Sequence, residues 1–354
     1  LAASYVSALE KEMARHIVNI KDENRVVNSV YLGGGTPTVL SGEQLVRILD
    51  TCRRLFRLAG DAEITVECNP GTVDLKKLSM IREAGANRVS IGVQAYQQKL
   101  LTRLGRIHRW QEVVEAVDCC RRAGIENLNL DLIFGIPGQT MEHWRETMEM
   151  VLGLSPEHIS AYNLKIELNT PLHREVDSGY LAPCDEELEL LMYWYTVKTL
   201  TGAGFKHYEI SNFARPGYPA RHNLVYWQNG EYLGLGPAAH SMIDGYRFSN
   251  VESVELYISK LGQGEPVIHE LHRLTRDEQI SETVFLGLRL LDGLNLDSFA
   301  GRFGETLPQI YGKQVEKLIH CGLLELADNK LKLTEKGIPL ANEVFAEFVQ
   351  DSDS

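Results

Sequence analysis

No run of about 20 apolar residues occurs anywhere in the 354-residue chain, so no membrane-spanning helix is expected. Positive charge is also in short supply: 36 Lys and Arg face 48 Asp and Glu, for a formal net charge of −12. A general nucleic-acid binder needs a basic face for phosphates, and this balance argues against one. Cysteine is scarce and scattered. The six residues, Cys52, Cys68, Cys119, Cys120, Cys184 and Cys321, form no CxxC or CxxxCxxC group, which argues against a disulfide framework. A reducing cytoplasm fits this usage best. No internal repeat is evident, and low complexity is confined to Asp351–Ser354. Hydrophobic content of 44% and charged content of 24% are those of a globular protein. The length suggests about two domains.

Two periodicities alternate over the first part of the chain. Helical spacing runs through Ala3–Ile20, Ser41–Arg57, Asp74–Ala84, Gln111–Ala123, Met141–Leu152 and Asp185–Gly204. Short β-rich runs lie between them at Ser29–Leu32, Glu63–Glu67, Arg88–Val93, Asn129–Phe134 and His158–Lys165. Gly85, Gly124 and Gly204 stand where helices end. Strand–helix–strand at this spacing implies a parallel sheet covered by helices. Such a series ordinarily opens with a strand, so one strand is expected ahead of Leu1. After Gly204 come two short strands, Lys206–Phe213 and Tyr232–Gly236, separated by a Pro/Gly-rich connection, Arg215–Ala220. From Leu274 onward three helices, Asp277–Leu291, Leu296–Phe303 and Leu307–Cys321, precede a hairpin of Leu323–Leu326 and Leu331–Leu333. Asn329 suits its turn, and a last helix covers Pro339–Phe348. The implied division is residues 1–204, 205–273 and 274–350, the last a winged-helix-like module. Its hairpin tip carries one lysine and its flanks are not basic, which favours a structural or protein-contact role over DNA.

The most informative segment is Tyr31-Leu32-Gly33-Gly34-Gly35-Thr36-Pro37-Thr38. Three glycines at the carboxyl end of a strand leave bare backbone that a ligand can approach, although a flexible βα turn would look the same. A phosphate loop would need Gly-Lys-Ser/Thr there, which is absent. The next strand ends are polar too: Glu67-Cys68-Asn69-Pro70, then Gln94, then Asp131 leading into Gly135-Ile136-Pro137-Gly138-Gln139-Thr140, then Tyr162, Asn163 and Lys165. Each alone reads first as a cap, a salt-bridge partner or an exposed loop residue. Together on one rim they offer two carboxylates, an amide and backbone groups, a set suited to an amine, hydroxyls and a cation. On spacing alone His222, followed by Tyr226 and Trp227, reads as a histidine in a polar loop with its aromatic neighbours packed in the core, although its imidazole could ligate a metal. His240 is a weaker second candidate, and His108 and His207 read as structural.

Gly33–Thr38, Glu67–Pro70, Gly92-Val93-Gln94-Ala95-Tyr96, Leu104-Gly105-Arg106-Ile107-His108 and Asp131–Thr140 resemble the radical S-adenosylmethionine (SAM) family, in the oxygen-independent coproporphyrinogen III oxidase branch. His207-Tyr208-Glu209-Ile210-Ser211-Asn212-Phe213-Ala214 and His222-Asn223-Leu224-Val225-Tyr226-Trp227 resemble the HemW group of heme chaperones within it. The resemblance spans nearly the whole chain. It implies an α/β fold, a partial (β/α)6 TIM-like barrel with a C-terminal winged-helix-like module, its first strand and cluster loop lying outside this chain. It implies a SAM site of Gly34, Gly35, Thr36, Glu67, Gln94, Arg106, Asp131 and Lys165, and heme held by His222, Tyr226 and Trp227. It further implies a 4Fe-4S cluster whose CxxxCxxC ligands would lie upstream of Leu1, and a heme-acceptor partner such as a respiratory heme protein. Two other functions stay open: oxidative decarboxylation of coproporphyrinogen, and a cluster-free interaction protein.

Overall fold

The computed structural model describes residues 1–19 and 25–349. Their contacts group into two units, one from Asn24–His207 with Ser211–Ala220, the other from Leu1–Glu23, Tyr208–Ile210 and Arg221–Ser354. The first unit is built on parallel strands β1 (Val27–Leu32), β2 (Leu58–Cys68), β3 (Arg88–Gln94), β4 (Asn127–Phe134) and β5 (His158–Asn163), adjacent in chain order. Short strands β6 (Lys206–Glu209) and β7 (Asn212–Ala214) extend the sheet in the order β5-β7-β6, with β7 antiparallel to β5. Helix α1 (Ala2–Asn19) precedes the sheet, and α2 (Gly42–Leu55), α3 (Leu75–Glu83), α4 (Gln98–Arg103), α5 (Trp110–Arg122), α6 (Met141–Gly153), α7 (Pro171–Asp177) and α8 (Glu186–Gly202) follow its strands.

Local chemistry sets these boundaries. Ser41 and Gln44 cap α2 reciprocally, at 3.3 and 2.9 Å. Gly85, Gly124 and Gly204 end α3, α5 and α8 with φ of 94°, 76° and 87°, a left-handed turn that costs glycine nothing. Strand β2 begins five residues before the expected Glu63, because its register against β1 shifts between Val27↔Leu58 and Ser29↔Glu63. Gly60 and Asp61 fall in that irregular stretch and hide it from a propensity argument. Strand β5 stops at Asn163, so Lys165 lies beyond the strand on which it was placed.

Side chains alternate across the sheet. Ile64, Val66, Cys68, Val89, Ile91, Val93, Leu128, Leu130, Leu132, Ile159 and Ala161 face the helices and form the core with Leu45, Leu78, Val113 and Trp144. The intervening residues are polar. Thr65, Arg88, Ser90, Asn129, His158 and Ser160 are all buried, so the opposite face of the sheet carries a polar layer.

In the second unit, α9 (Arg221–Trp227) is helical where a loop was the alternative considered. A three-stranded antiparallel sheet of β8 (His240–Ile243), β9 (Tyr246–Asn250) and β10 (Ile268–Arg273) surrounds α10 (Val254–Gln263) in sequence. None of these elements was foreseen. The strand expected at Tyr232–Gly236 reduces to a single bridge, Tyr232 to Met242. Helix α1, expected with the sheet, packs instead against α10, Tyr5 and Ala8 meeting Tyr257 and Leu261. Its buried Glu12 accepts from Gly236 N at 2.8 Å, Asn250 Nδ2 at 2.6 Å and Tyr257 Oη at 2.5 Å. Then come α11 (Arg276–Gly287), β11 (Leu294–Asn295), α12 (Leu296–Phe303), α13 (Leu307–His320), the hairpin β12 (Leu324–Ala327) and β13 (Lys330–Leu333), and α14 (Ala341–Ala346). Asp328 and Asn329 make the hairpin turn with φ of 50° and 56°, which matches the right-handed twist of the strands.

Candidate functional site

The carboxyl ends of β1 to β4 and the polar layer below them form one constellation. Gly33 lies so close to Tyr31 and Glu67 that a Cβ there would stand 2.4 Å from Tyr31 Cε1 and 2.8 Å from Glu67 Oε1. Tyr31 Oη donates to Glu67 Oε1 at 2.7 Å. Gly34 and Gly35 differ: a Cβ on either would meet nothing within 4 Å, so their backbone faces open space. Thr36 Oγ1 accepts from Asn69 Nδ2 at 2.9 Å, and Asn69 Oδ1 accepts from Arg106 Nη1 at 3.4 Å. Behind this loop Lys77 Nζ donates to Thr38 O and Thr72 O at 2.7 and 2.8 Å, tying the glycine turn to the next strand's end.

Gln94 closes β3 with φ of 66°, a left-handed conformation that a non-glycine residue adopts at a cost. Its amide nitrogen and Asn69 Oδ1 lie 3.0 and 3.1 Å from where a Gly92 Cβ would be, so Gly92 makes room for both. His108 Nε2 donates to Val93 O at 3.2 Å, anchoring the loop that carries Arg106; burial pushes its imidazole below the ordinary range, toward the neutral form. Thr36, Glu67, Gln94 and Asp131 thus belong to adjoining strand ends of one sheet, and Arg106, on the connection after α4, meets them through Asn69. Lys165 lies two residues beyond the end of β5. Its side chain is 82% exposed and pairs with Glu167 at 3.0 Å.

Asp131 is held from below. Ser90 Oγ donates to its Oδ2 at 2.7 Å and Asn129 Nδ2 to its Oδ1 at 2.8 Å. Asn129 Oδ1 in turn accepts from His158 Nδ1 at 2.6 Å and Ser160 Oγ at 3.2 Å. Burial, with the Arg88 charge, keeps His158 well below its ordinary range, so the ring is neutral and donates through Nδ1. This chain of Ser90, Asn129, His158 and Ser160 was not foreseen. Its signal was the strict alternation Asn127-x-Asn129-x-Asp131 among leucines. Burial raises the Glu67 carboxyl above its ordinary range; the Tyr31 hydrogen bond opposes that, and the Asp131 charge adds to it. Two carboxylates, one of them desolvated, favour a cationic group between them.

A second constellation lies on α9. Four residues apart on the helix, His222 and Tyr226 meet, with Nε2 3.1 Å from Oη and the rings edge-on at 5.1 Å. Tyr232 packs edge-on against Tyr226 at 4.7 Å. Trp227 does not join this face: it lies under the Arg289 guanidinium, 4.4 Å from ring centre to Cζ. His240 is exposed on β8. Cys52, Cys68 and Cys120 are buried in the core, where burial lifts the thiols of Cys52 and Cys120 to about 11 and about 12. Such thiols are not poised as thiolate ligands. Among the described residues no cluster of His, Cys, Asp and Glu could hold a metal ion, and no helix is long and apolar enough to cross a membrane.

A half-barrel sheet with a glycine turn and carboxylates on its rim defines the class: residues 4–151 match the radical SAM superfamily, and residues 274–340 match the HemN C-terminal domain. The solved coproporphyrinogen III oxidase HemN of Escherichia coli has the same fold, with a TM-score of 0.84 and 25% identity over 98% of this chain and 83% of that one. More narrowly, the chain is 37% identical to the heme chaperone HemW of Bacillus subtilis over 346 residues, covering 98% of this chain and 91% of that protein. It is 35% identical to the HemW of Lactococcus lactis, over 92% and 85%. The chain belongs to the HemW family.

Proposed function

We propose that this protein is a heme chaperone that binds heme through His222 and passes it to an acceptor protein. The observation that carries this reading is the α9 pair: an imidazole on a short helix, its Nε2 held 3.1 Å from a tyrosine hydroxyl and backed by a second tyrosine. A neutral imidazole is a good axial ligand, and Tyr226 orients the ring toward or away from iron. The relatives named as heme chaperones, aligned over nearly the whole chain, support the same reading.

The rim fits SAM in its donor set. The open backbone of Gly34 and Gly35 and the Thr36 hydroxyl suit the amino-acid end of the ligand. Glu67 and Asp131 suit its ammonium, sulfonium and ribose hydroxyls, and Arg106 its carboxylate. Bound beside a 4Fe-4S cluster, SAM supplies one-electron chemistry; here the chain's own part is to bind and orient it. Thiolate ligands for a cluster would come from outside the described residues. That the six cysteines form no disulfide supports a reducing, cytoplasmic setting.

Hemin titration tests the heme reading. The protein is expected to develop a Soret band that His222→Ala weakens and shifts; an unchanged band in that variant would remove His222 from the site. The likeness to HemN favours one competitor, the oxidase. Protein that includes the cluster ligands, reconstituted and given coproporphyrinogen under anaerobic conditions, is expected to yield no protoporphyrinogen, and turnover would decide for the oxidase.

A further inference from the structure

We infer that Arg289, together with the indole N–H of Trp227, forms the seat for a propionate of the bound heme. This rests on the heme reading and adds to it a residue outside the His222–Trp227 segment, on α11's C-terminal side.

The chemistry of the spot is one-sided. Trp227 Nε1 is buried and finds no acceptor among the described residues, and the same holds for Arg289 Nε. The guanidinium is stacked on the indole, 4.4 Å from its Cζ to the ring centre, so these two donors neighbour each other. The carboxylate paired with it, the fully buried Glu209, stands 3.7 Å from Arg289 Nη2, beyond hydrogen-bond range. The guanidinium is thus neutralised at a distance but not satisfied. Its side chain is 25% exposed, which leaves an approach from outside.

Indole N–H and guanidinium are donors only. Water would leave a cationic site with a weak acceptor, whereas a carboxylate accepts from both and can take two bonds from an arginine. Heme carries such carboxylates on its propionates. Trp227 follows Tyr226 directly, and Tyr226 touches His222. His222 and Trp227 lie five residues apart on α9, about 7.5 Å of rise, and on different faces of that helix, so the clamp is placed beside the His222–Tyr226 face rather than on it. Trp227 therefore serves less as a wall for the porphyrin face than as one jaw of a carboxylate clamp, its ring holding Arg289 in place by cation–π contact.

Titrating the whole protein with hemin and with hemin dimethyl ester, whose propionates are neutral, tests this directly. Wild type is expected to bind hemin about ten-fold or more tightly than the ester. Arg289→Gln should abolish that preference and Trp227→Phe reduce it, both leaving the Soret position, set by the axial ligand, unmoved. Equal affinity of wild type for hemin and ester would overturn the clamp and leave the His222 reading standing. A preference kept in both variants would overturn it too. A Soret band with neither compound would overturn the heme reading itself. Should Arg289→Gln fold poorly because Glu209 loses its counter-charge, the ester comparison on wild type and Trp227→Phe still decides.

Discussion

Gly33 has no room for a side chain, while Gly35, two residues on, has nothing near it. The two glycines therefore separate packing from ligand access. Gly33→Ala should force Tyr31 and Glu67 apart and destabilise the fold by about 1–3 kcal/mol in urea unfolding. Gly35→Ala should leave stability within about 0.5 kcal/mol of wild type but weaken SAM binding by calorimetry. Equal stability of the two variants would contradict this division. Glu67 offers a second test, because burial raises its carboxyl above the ordinary range. The folded state then holds the proton more tightly than the unfolded chain. Stability is lost as pH rises from the ordinary glutamate range through the raised value, and is regained below it. Glu67→Gln, which still accepts from Tyr31, should escape that loss. Its stability relative to wild type should grow as pH rises above the ordinary glutamate range, while SAM binding falls. A pH-independent difference would refute the assignment.

At the scale of elements, the sheet shows how a strand can serve two purposes. Even-numbered residues of β4, Leu128, Leu130, Leu132 and Phe134, build the core, and odd-numbered Asn129 and Asp131 build the site. A one-residue slip would exchange the two sets, so core burial also fixes the polar layer's register. Helix α1 makes the complementary case. Its Glu12 is 1% exposed, yet three neighbours donate to it. Glu12→Ala would strand Gly236 N–H and the Tyr257 hydroxyl and should cost about 3 kcal/mol. Faster hydrogen exchange in α10 and around Gly236 would be the signature. Unchanged protection there would show that α1 is not what holds this loop.

For the molecule as a whole, much of the design was legible in the chain. The alternation of strand and helix through Gly204, the glycine turn, the polar strand ends and the terminal hairpin all follow from local patterns of burial, capping and turn chemistry. The sheet of β8, β9 and β10 was not legible. Its outer strand β10 is exposed along its length and so carries no apolar alternation to announce it. The α9 helix escaped for a related reason: it is seven residues long, with no buried side chain to reveal a face. The polar chain under Asp131 and the pairing of Trp227 with Arg289 join residues 29 and 62 positions apart, and no local window contains both partners.

Sequence alone determined which residues could bury, cap, turn or ligate, because those properties belong to single side chains and to neighbours within a helical turn or a strand. Only tertiary structure decided which of them meet. It set Glu67 over Gly33, ran His158 through Asn129 to Asp131, paired Lys165 with Glu167, and placed Arg289 on Trp227. Such meetings are fixed by long-range packing, where excluding water from the core dictates register and the polar groups must then find partners across it.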